Sequence, residues 1–192
     1  LPKARWGHRM EITGTGDIHD LMVFDGLYEI FYGYHMGLTA ENIANLYKIS
    51  REAQDELGVL SHTRARAAIT QGLFADEIAP VTVKSRKGDI IVDTDERPMD
   101  TTLEKMANLR PAFKKDGTVT AGNASQLSDG ASAVVLMSRA EAERRGVAPL
   151  GEFVSYGMLA GPDSASLLHQ PSRAILQAAE KAGVAVADLD LF

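Results

Sequence analysis

Ala133-Val134-Val135-Leu136-Met137 carries apolar side chains at consecutive positions, so both faces of the segment need covering. A strand of that kind, over residues 132–137, is expected inside a sheet sandwiched between helices. The following sequence supplies the rest of such a layer. Ser138-Arg139-Ala140-Glu141 is a capping box opening a helix that Gly146 closes, and residues 150–156 read as another strand. Pro171 suits the first position of a helix with Ile175, Ala178, Ala179 and Ala182 inward and Gly183 beyond its end. Residues 188–192 then begin a further buried strand. Alternation of strands and helices predicts an α/β chain with a largely parallel sheet.

The residues before Gly117 have a different character. Residues 1–38 are irregular: a basic opening, then Gly14-Thr15-Gly16-Asp17, then Leu21, Met22, Val23 and Phe24. Trp6 in that opening suits either a core or an anchor for a partner subunit. Thr39 is expected to cap a helix carrying Ile43, Ala44 and Tyr47. Ser50 is expected to cap a longer one, with Ala53, Leu57, Leu60, Arg64 and Ala68 along its inward stripe and Gly72 as its stop. Gly58 inside that helix costs about 1 kcal/mol relative to Ala. Residues 78–83 and 89–93 predict a hairpin turning through Lys84-Ser85-Arg86-Lys87-Gly88. Thr101-Thr102-Leu103-Glu104 is a second capping box, opening a short helix that Pro111 ends.

Charge and cysteine usage narrow the function. The chain has 20 Lys and Arg against 26 Asp and Glu, a net charge of −6, which argues against general nucleic-acid binding. The 192 residues contain no cysteine, which removes a disulfide scaffold, a thiolate zinc site, an iron–sulfur cluster and a cysteine nucleophile from this chain. No apolar run approaches the ~20 residues of a membrane helix. The expectation is a soluble, cytoplasmic protein. Because the sequence opens without Met and stops inside an apolar strand, it is expected to be the middle of a longer polypeptide.

Motifs exclude more than they assign. Phosphate-binding Gly-x-x-x-x-Gly-Lys, dinucleotide-binding Gly-x-Gly-x-x-Gly and the hydrolase Gly-x-Ser-x-Gly are all absent. His8, His19, His35, His62 and His169 show no metal-ligand spacing, and His19 and His62 are expected to face solvent. His35 lies in Gly33-Tyr34-His35-Met36-Gly37, where the glycines either allow close backbone approach to a ligand or simply make turns. Residues 120–130, dense in small and polar side chains, suit an amide-bearing ligand or a tight packing corner. Lys84, Arg86 and Lys87 suit phosphates or a solvated hairpin tip.

Read together, Tyr34-His35-Met36-Gly37-Leu38-Thr39-Ala40-Glu41-Asn42, Ile49-Ser50-Arg51-Glu52-Ala53-Gln54-Asp55, Leu109-Arg110-Pro111-Ala112-Phe113 and Thr118-Val119-Thr120-Ala121-Gly122-Asn123-Ala124-Ser125 with Ser128-Asp129-Gly130-Ala131 resemble the thiolase family, in order and spacing, over nearly the whole chain. Within it the resemblance leans to the acetyl-CoA acetyltransferases. It implies an α/β fold with a layered αβαβα core of two similar halves and an inserted α+β loop domain. Residues 1–115 would be mainly the CoA-binding loop domain, 116–146 the end of the N-terminal half, and 147–192 the start of the C-terminal half.

The resemblance also implies a reaction: two acyl-CoA molecules interconvert with a 3-ketoacyl-CoA and free CoA. An activated Cys is acylated, a His deprotonates it, and a second Cys exchanges a proton. The nucleophile is expected upstream of Leu1, and the His and second Cys downstream of Phe192, so this chain alone would be inactive. Its implied contribution is the CoA cradle. His35 and Met36 would line the pantetheine tunnel near the acyl group, with Met36 crowding it toward small acyl chains. Leu109, Ala112 and Phe113 would run along adenine and pantetheine, and Ala121, Gly122, Ser125 and Leu127 would meet the pantetheine amides. CoA would be substrate and product, with no permanently bound cofactor and no metal. The implied partners are acyl-CoA substrates and further copies of the chain, as a homodimer or homotetramer, with no nucleic acid and no membrane.

Two departures stand out. Met99 occupies the place of a family Arg, so either Arg97 or the hairpin's Lys84 and Arg86 meets the CoA phosphates or these side chains are simply solvated, and residues 161–170 are longer and more irregular than the family's approach to the following helix. The alternative reading is a short, non-catalytic CoA-binding or partner subunit.

Overall fold

In the computed structural model, residues 28–47 form a small hairpin that runs directly into a helix. The structure describes residues 19–161 and 164–192. Trp6, His8, residues 14–17 and the middle of the irregular 161–170 stretch lie outside them. Strand β1 (Tyr28–Glu29) pairs antiparallel with β2 (Tyr34–His35), Tyr28 opposite His35 and Glu29 opposite Tyr34. The buried Glu29 carboxylate accepts the backbone N–H of Tyr32 at 2.7 Å, and Gly33, at φ +73°, closes the turn by donating to the Glu29 carbonyl at 2.8 Å.

Helix α1 (Met36–Tyr47) starts ahead of the expected Thr39 cap. His35 is extended, and its Nδ1 accepts the Gly37 N–H at 3.0 Å, so an imidazole does the capping and Thr39 is buried within the helix. Helix α2 (Arg51–Thr70) starts as expected, with Ser50 Oγ accepting from Ala53 N–H at 3.1 Å.

The inward face of α2 differs from the expected stripe: Leu57 is 66% exposed and Leu60 is exposed too. Ala53 and Arg64 are exposed as well, Ala68 alone of the expected stripe is half-buried, and the other sheltered positions are Arg51, Gln54, Gly58, Val59, His62, Ala65 and Ile69, with Asp55 the one fully buried residue of the helix. What packs there is the turn around Gly122 together with Met106 of the following short helix, and small and polar side chains of the helix face them. Gly58 is where that packing is closest. A Cβ on it would lie 2.6 Å from Met106 Cε and 3.2 Å from the Gly122 carbonyl, so the residue that weakens the helix permits the approach. Helix α3 (Leu103–Ala107) is capped by Thr102, one residue later than the sequence pattern places the cap, with Lys105 N–H donating to Oγ1 at 3.3 Å. It delivers Met106, only 2% exposed, against Gly58. An antiparallel bridge between Pro111 and Thr120 closes the loop that follows.

The predicted hairpin forms with shorter strands, β3 (Val81–Val83) and β4 (Ile90–Val92), in the register Val81–Val92, Thr82–Ile91, Val83–Ile90. Helix α4 (Arg139–Arg145) runs from the Ser138 cap to Gly146 at φ +65°. Glu141 within it accepts from Arg144 and Arg145, and these bonds hold its carboxyl below the usual carboxylate range. Helix α5 (Gln170–Ala182) has Pro171 in its first turn and Gly183 at φ +67° as its stop. Ala178, Ala179 and Ala182 turn inward as expected, whereas Ile175 is exposed. The 155–158 segment lies along α5, Ser155 Oγ donating to the Ala178 carbonyl at 2.6 Å. The turn Ser164–His169 packs against α1, where Tyr47 Oη and His169 Nδ1 approach to 2.5 Å.

Three expected strands are not formed. Residues 132–137, 150–156 and 188–192 have no ladder partner among the described residues, whose two sheets are both two-stranded and antiparallel. Val135 is 85% exposed, and Val134, Leu136, Phe153 and Leu191 are comparably open. A strand apolar on both faces is stable only with neighbours along its edges and layers above and below. The described residues supply neither.

Candidate functional site

A groove with a volume of about 540 Å³ runs between the inward face of α2, the segment 95–99 and the turn 121–126. The 95–99 wall is tied to both other sides. Met99 N–H donates to His62 Nδ1 at 3.2 Å, and Arg97 Nε donates to Gln126 Oε1 at 2.6 Å. His62 therefore lines the groove, half-buried, and does not face solvent as expected.

The turn that forms the opposite wall is held by side chains from both long helices. Asn123 Oδ1 accepts Thr120 N–H at 2.8 Å, while its Nδ2 donates to the Thr118 carbonyl at 3.0 Å and to Asp55 Oδ1 at 2.9 Å. Asp55 Oδ2 receives Arg51 Nε at 2.7 Å, and Arg51 Nη2 reaches the Met106 carbonyl at 2.6 Å and the Leu109 carbonyl at 3.2 Å. From α1, the Glu41 carboxylate accepts Thr118 N–H and Val119 N–H, each at 2.8 Å, and the Thr118 hydroxyl at 3.1 Å. Gln54 adds a bond to Thr118 Oγ1 at 2.9 Å. Met106 packs beneath Gly122, where a Cβ would lie 2.5 Å from its sulfur and 2.6 Å from Leu109 Cδ1.

The site residues read from the sequence fall into two groups. Ala121, Gly122 and Ser125 line the groove, with Leu109 behind Gly122. His35 and Phe113 stack on each other, ring centroids 4.7 Å apart and planes 25° from parallel, with the half-buried Met36 next in sequence. Gly37 leaves room for this: a Cβ there would stand 2.2 Å from the Phe113 ring. Ala112 joins the groups, its N–H donating to the Val119 carbonyl at 2.9 Å. His35, Met36 and Phe113 are not among the groove's lining residues, and Leu127 is exposed outside both groups. Arg97 is the Lys or Arg of the groove lining, whereas Lys84 pairs with Asp89 at 2.5 Å. The groove is lined by Ser61, Ser125, Gln54, Asn123 and Gln126, by Arg97 with the acidic Asp95 and Glu96 beside it, and by apolar Leu57, Ala65, Pro98 and Met99, a mixed slot that suits a thin, amide-bearing ligand.

Residues 2–140 match the family model described as the thiolase N-terminal domain. This chain belongs to the thiolase family. It is 51% identical over 191 residues to an acetyl-CoA acetyltransferase of Syntrophomonas wolfei, an alignment covering 100% of this chain and 48% of that protein. It is 52% identical over 192 residues to the beta-ketothiolase BktB of Cupriavidus necator, covering 99% of this chain and 48% of that one. The crystal structure of the Bacillus anthracis acetyl-CoA acetyltransferase superposes with a TM-score of 0.80 at 43% identity, covering 100% of this chain and 48% of that one. The S. wolfei acetyl-CoA acetyltransferase structure also gives 0.80, at 40% identity, covering 99% and 47%. The fold is thus the α/β thiolase fold, and the chain spans about half the length of the relatives it matches.

Within this thiolase chain, the residues that sequence reasoning missed are the supports. Gly58, Ser61, His62 and Ala65 follow an i, i+3, i+4, i+7 spacing of small and polar types, a helical face as regular as the apolar stripe chosen in its place. Arg51 and Asp55 form a local i, i+4 pair and Asn123 a local turn bond, but the Asp55–Asn123 bond and the Glu41 contacts with Thr118 and Val119 join partners distant in sequence and left no local signal.

Proposed function

We propose that this chain provides the CoA-binding part of a thiolase acyltransferase, which interconverts two acyl-CoA, here acetyl-CoA, with 3-ketoacyl-CoA and free CoA. Residues 1–115 would be mainly the CoA-binding loop domain, 116–146 the close of the N-terminal half and 147–192 the start of the C-terminal half. The cysteine nucleophile and the histidine base come from polypeptide outside these residues, which contain no Cys. The uncovered apolar segments 132–137, 150–156 and 188–192 take their places as strands against that remainder. CoA is substrate and product, the protein works in the cytoplasm, and it assembles as a homodimer or homotetramer. Family membership supports this reading, and the observation that carries it is the groove in which Ala121, Gly122 and Ser125 meet the α2 face.

His35, Met36 and Phe113 contribute at the acyl end of the pantetheine path, and Leu109 and Ala112 support the turn from behind. Leu127, exposed on the same loop, extends the contact outward. Arg97, the cation of the groove, meets the CoA phosphates in place of the family Arg. The test is thiolysis of acetoacetyl-CoA by the complete polypeptide. It is expected to release two acetyl-CoA per turnover, and the 192-residue chain alone is expected to be inactive. Arg97→Ala in the complete enzyme should raise KM for CoA about fivefold, as an exposed ion contact of about 1 kcal/mol implies. No turnover by the complete polypeptide would overturn the reading, and an unchanged KM would remove Arg97 from it.

A further inference from the structure

Asp55 is 3% exposed yet does not line the groove. Burying a carboxylate is unfavourable unless hydrogen bonds compensate it, so the destination of those bonds indicates what the group is there to hold. One oxygen accepts from Asn123 Nδ2 at 2.9 Å and the other from Arg51 Nε at 2.7 Å. Each partner leads to a different support of the 120–125 turn. Asn123 commits the rest of its amide to the turn's backbone, accepting the Thr120 N–H and donating to the Thr118 carbonyl. Arg51 holds the Met106 and Leu109 carbonyls, and these two side chains underlie Gly122. The polar tie and the apolar prop both converge on a single carboxylate of α2.

We infer that Asp55 is a positioning residue of the groove, fixing the 120–125 turn over α2 through Asn123 and Arg51 and thereby setting the affinity for CoA. The inference rests on the proposed CoA-binding reading of that groove. The substitution that isolates it is Asp55→Asn, which keeps the shape. Its amide can accept from Asn123, but its own NH₂ then meets the Arg51 Nε–H, donor against donor. One of the two supports is lost with no cavity made.

The experiment uses the complete enzyme and two readouts. Hydrogen exchange at the Gly122 amide, which donates to Thr120 Oγ1 in the part of the turn resting on Met106 and Leu109, reports the turn without reference to CoA. Steady-state thiolysis reports KM for CoA against kcat. In Asp55→Asn, exchange at Gly122 and KM are each expected to rise about tenfold, with kcat falling by less, since a hydrogen bond to a charged group is being lost. Ser125→Trp, which obstructs the groove directly, serves as reference. If exchange and KM stay at wild-type values in Asp55→Asn while Ser125→Trp raises KM, the positioning role is overturned and the groove reading stands. If exchange rises but neither variant moves KM, CoA does not use this groove and both readings fall.

Discussion

Glu41→Ala is expected to destabilise the complete protein by about 3 kcal/mol, with half or less of that loss in Glu41→Gln. The carboxylate is 4% exposed and accepts two backbone N–H groups, of Thr118 and Val119, together with the Thr118 hydroxyl. Val119 is itself buried, so its N–H has no ready access to water once the acceptor is gone. A buried donor left unsatisfied costs about 1–3 kcal/mol, and here two backbone donors lose their partner together. Glutamine retains one carbonyl oxygen for the pair but presents NH₂ where the second oxygen stood, so part of the bonding survives. Gly117 shows how closely this packing is fitted, since a Cβ there would lie 2.3 Å from Glu41 Oε1. Urea unfolding is the measurement. The account expects a lower midpoint with an unchanged slope, and a loss under about 0.5 kcal/mol would show that the carboxylate is dispensable.

Gly157→Ala is expected to cost a comparable amount, about 3 kcal/mol, for a different reason. A Cβ at this position would stand 1.9 Å from the Ala174 carbonyl oxygen and 2.7 Å from its carbonyl carbon, both backbone atoms of α5. A helix carbonyl already engaged in the helical ladder cannot move aside as a side-chain tip would. The 155–158 segment must lift instead. That breaks the bonds from Ser155 Oγ to the Ala178 carbonyl, from Met158 N–H to Gln177 and from Lys181 to the Tyr156 carbonyl. Thermal unfolding of the variant should show the loss, and the Lys181–Tyr156 contact, 4.7 Å from ammonium to ring centre, should disappear from a crystal structure. A variant with wild-type stability and an undisplaced segment would contradict the account.

Much of the local structure was legible because the signals are themselves local. Ser50 and Ser138 as caps, Gly146 and Gly183 as stops, Pro171 in a first turn and the hairpin around Lys84–Gly88 follow from side-chain hydrogen bonding and φ preference within a few residues. The start of α1 was misplaced because His35 supplies the capping acceptor, a role the usual Ser, Thr, Asp and Asn preferences do not assign to histidine. Most of the expected α2 stripe is exposed: apolarity was taken as the mark of the interior, whereas a tight turn and Met106 approach the helix over Gly58 and its small and polar neighbours. The run at 132–137 is expected to need cover on both faces, and no such cover is present among the described residues.

The 120–125 turn is the most instructive case. Its composition left a packing corner and a ligand turn as alternatives; the structure shows the packing corner, with the same turn facing a groove. Gly122 is pressed onto Met106 and Leu109, and the same turn gives Ala121 and Ser125 to the groove. Small residues serve the two ends at once: they let the turn descend onto α2, and they leave its outer surface open. The resemblance to thiolases selected these residues, but the carboxylates and the amide that hold them in place became visible only when α1, α2 and the loop were brought together.

The most direct measurement is a crystal structure of the complete protein with CoA bound. The account predicts the pantetheine arm between the Gly58–His62 face of α2 and residues 121–125, with Arg97 at the phosphates and the thiol end directed to the His35–Phe113 stack. CoA bound elsewhere on the protein, with this groove empty, would contradict it.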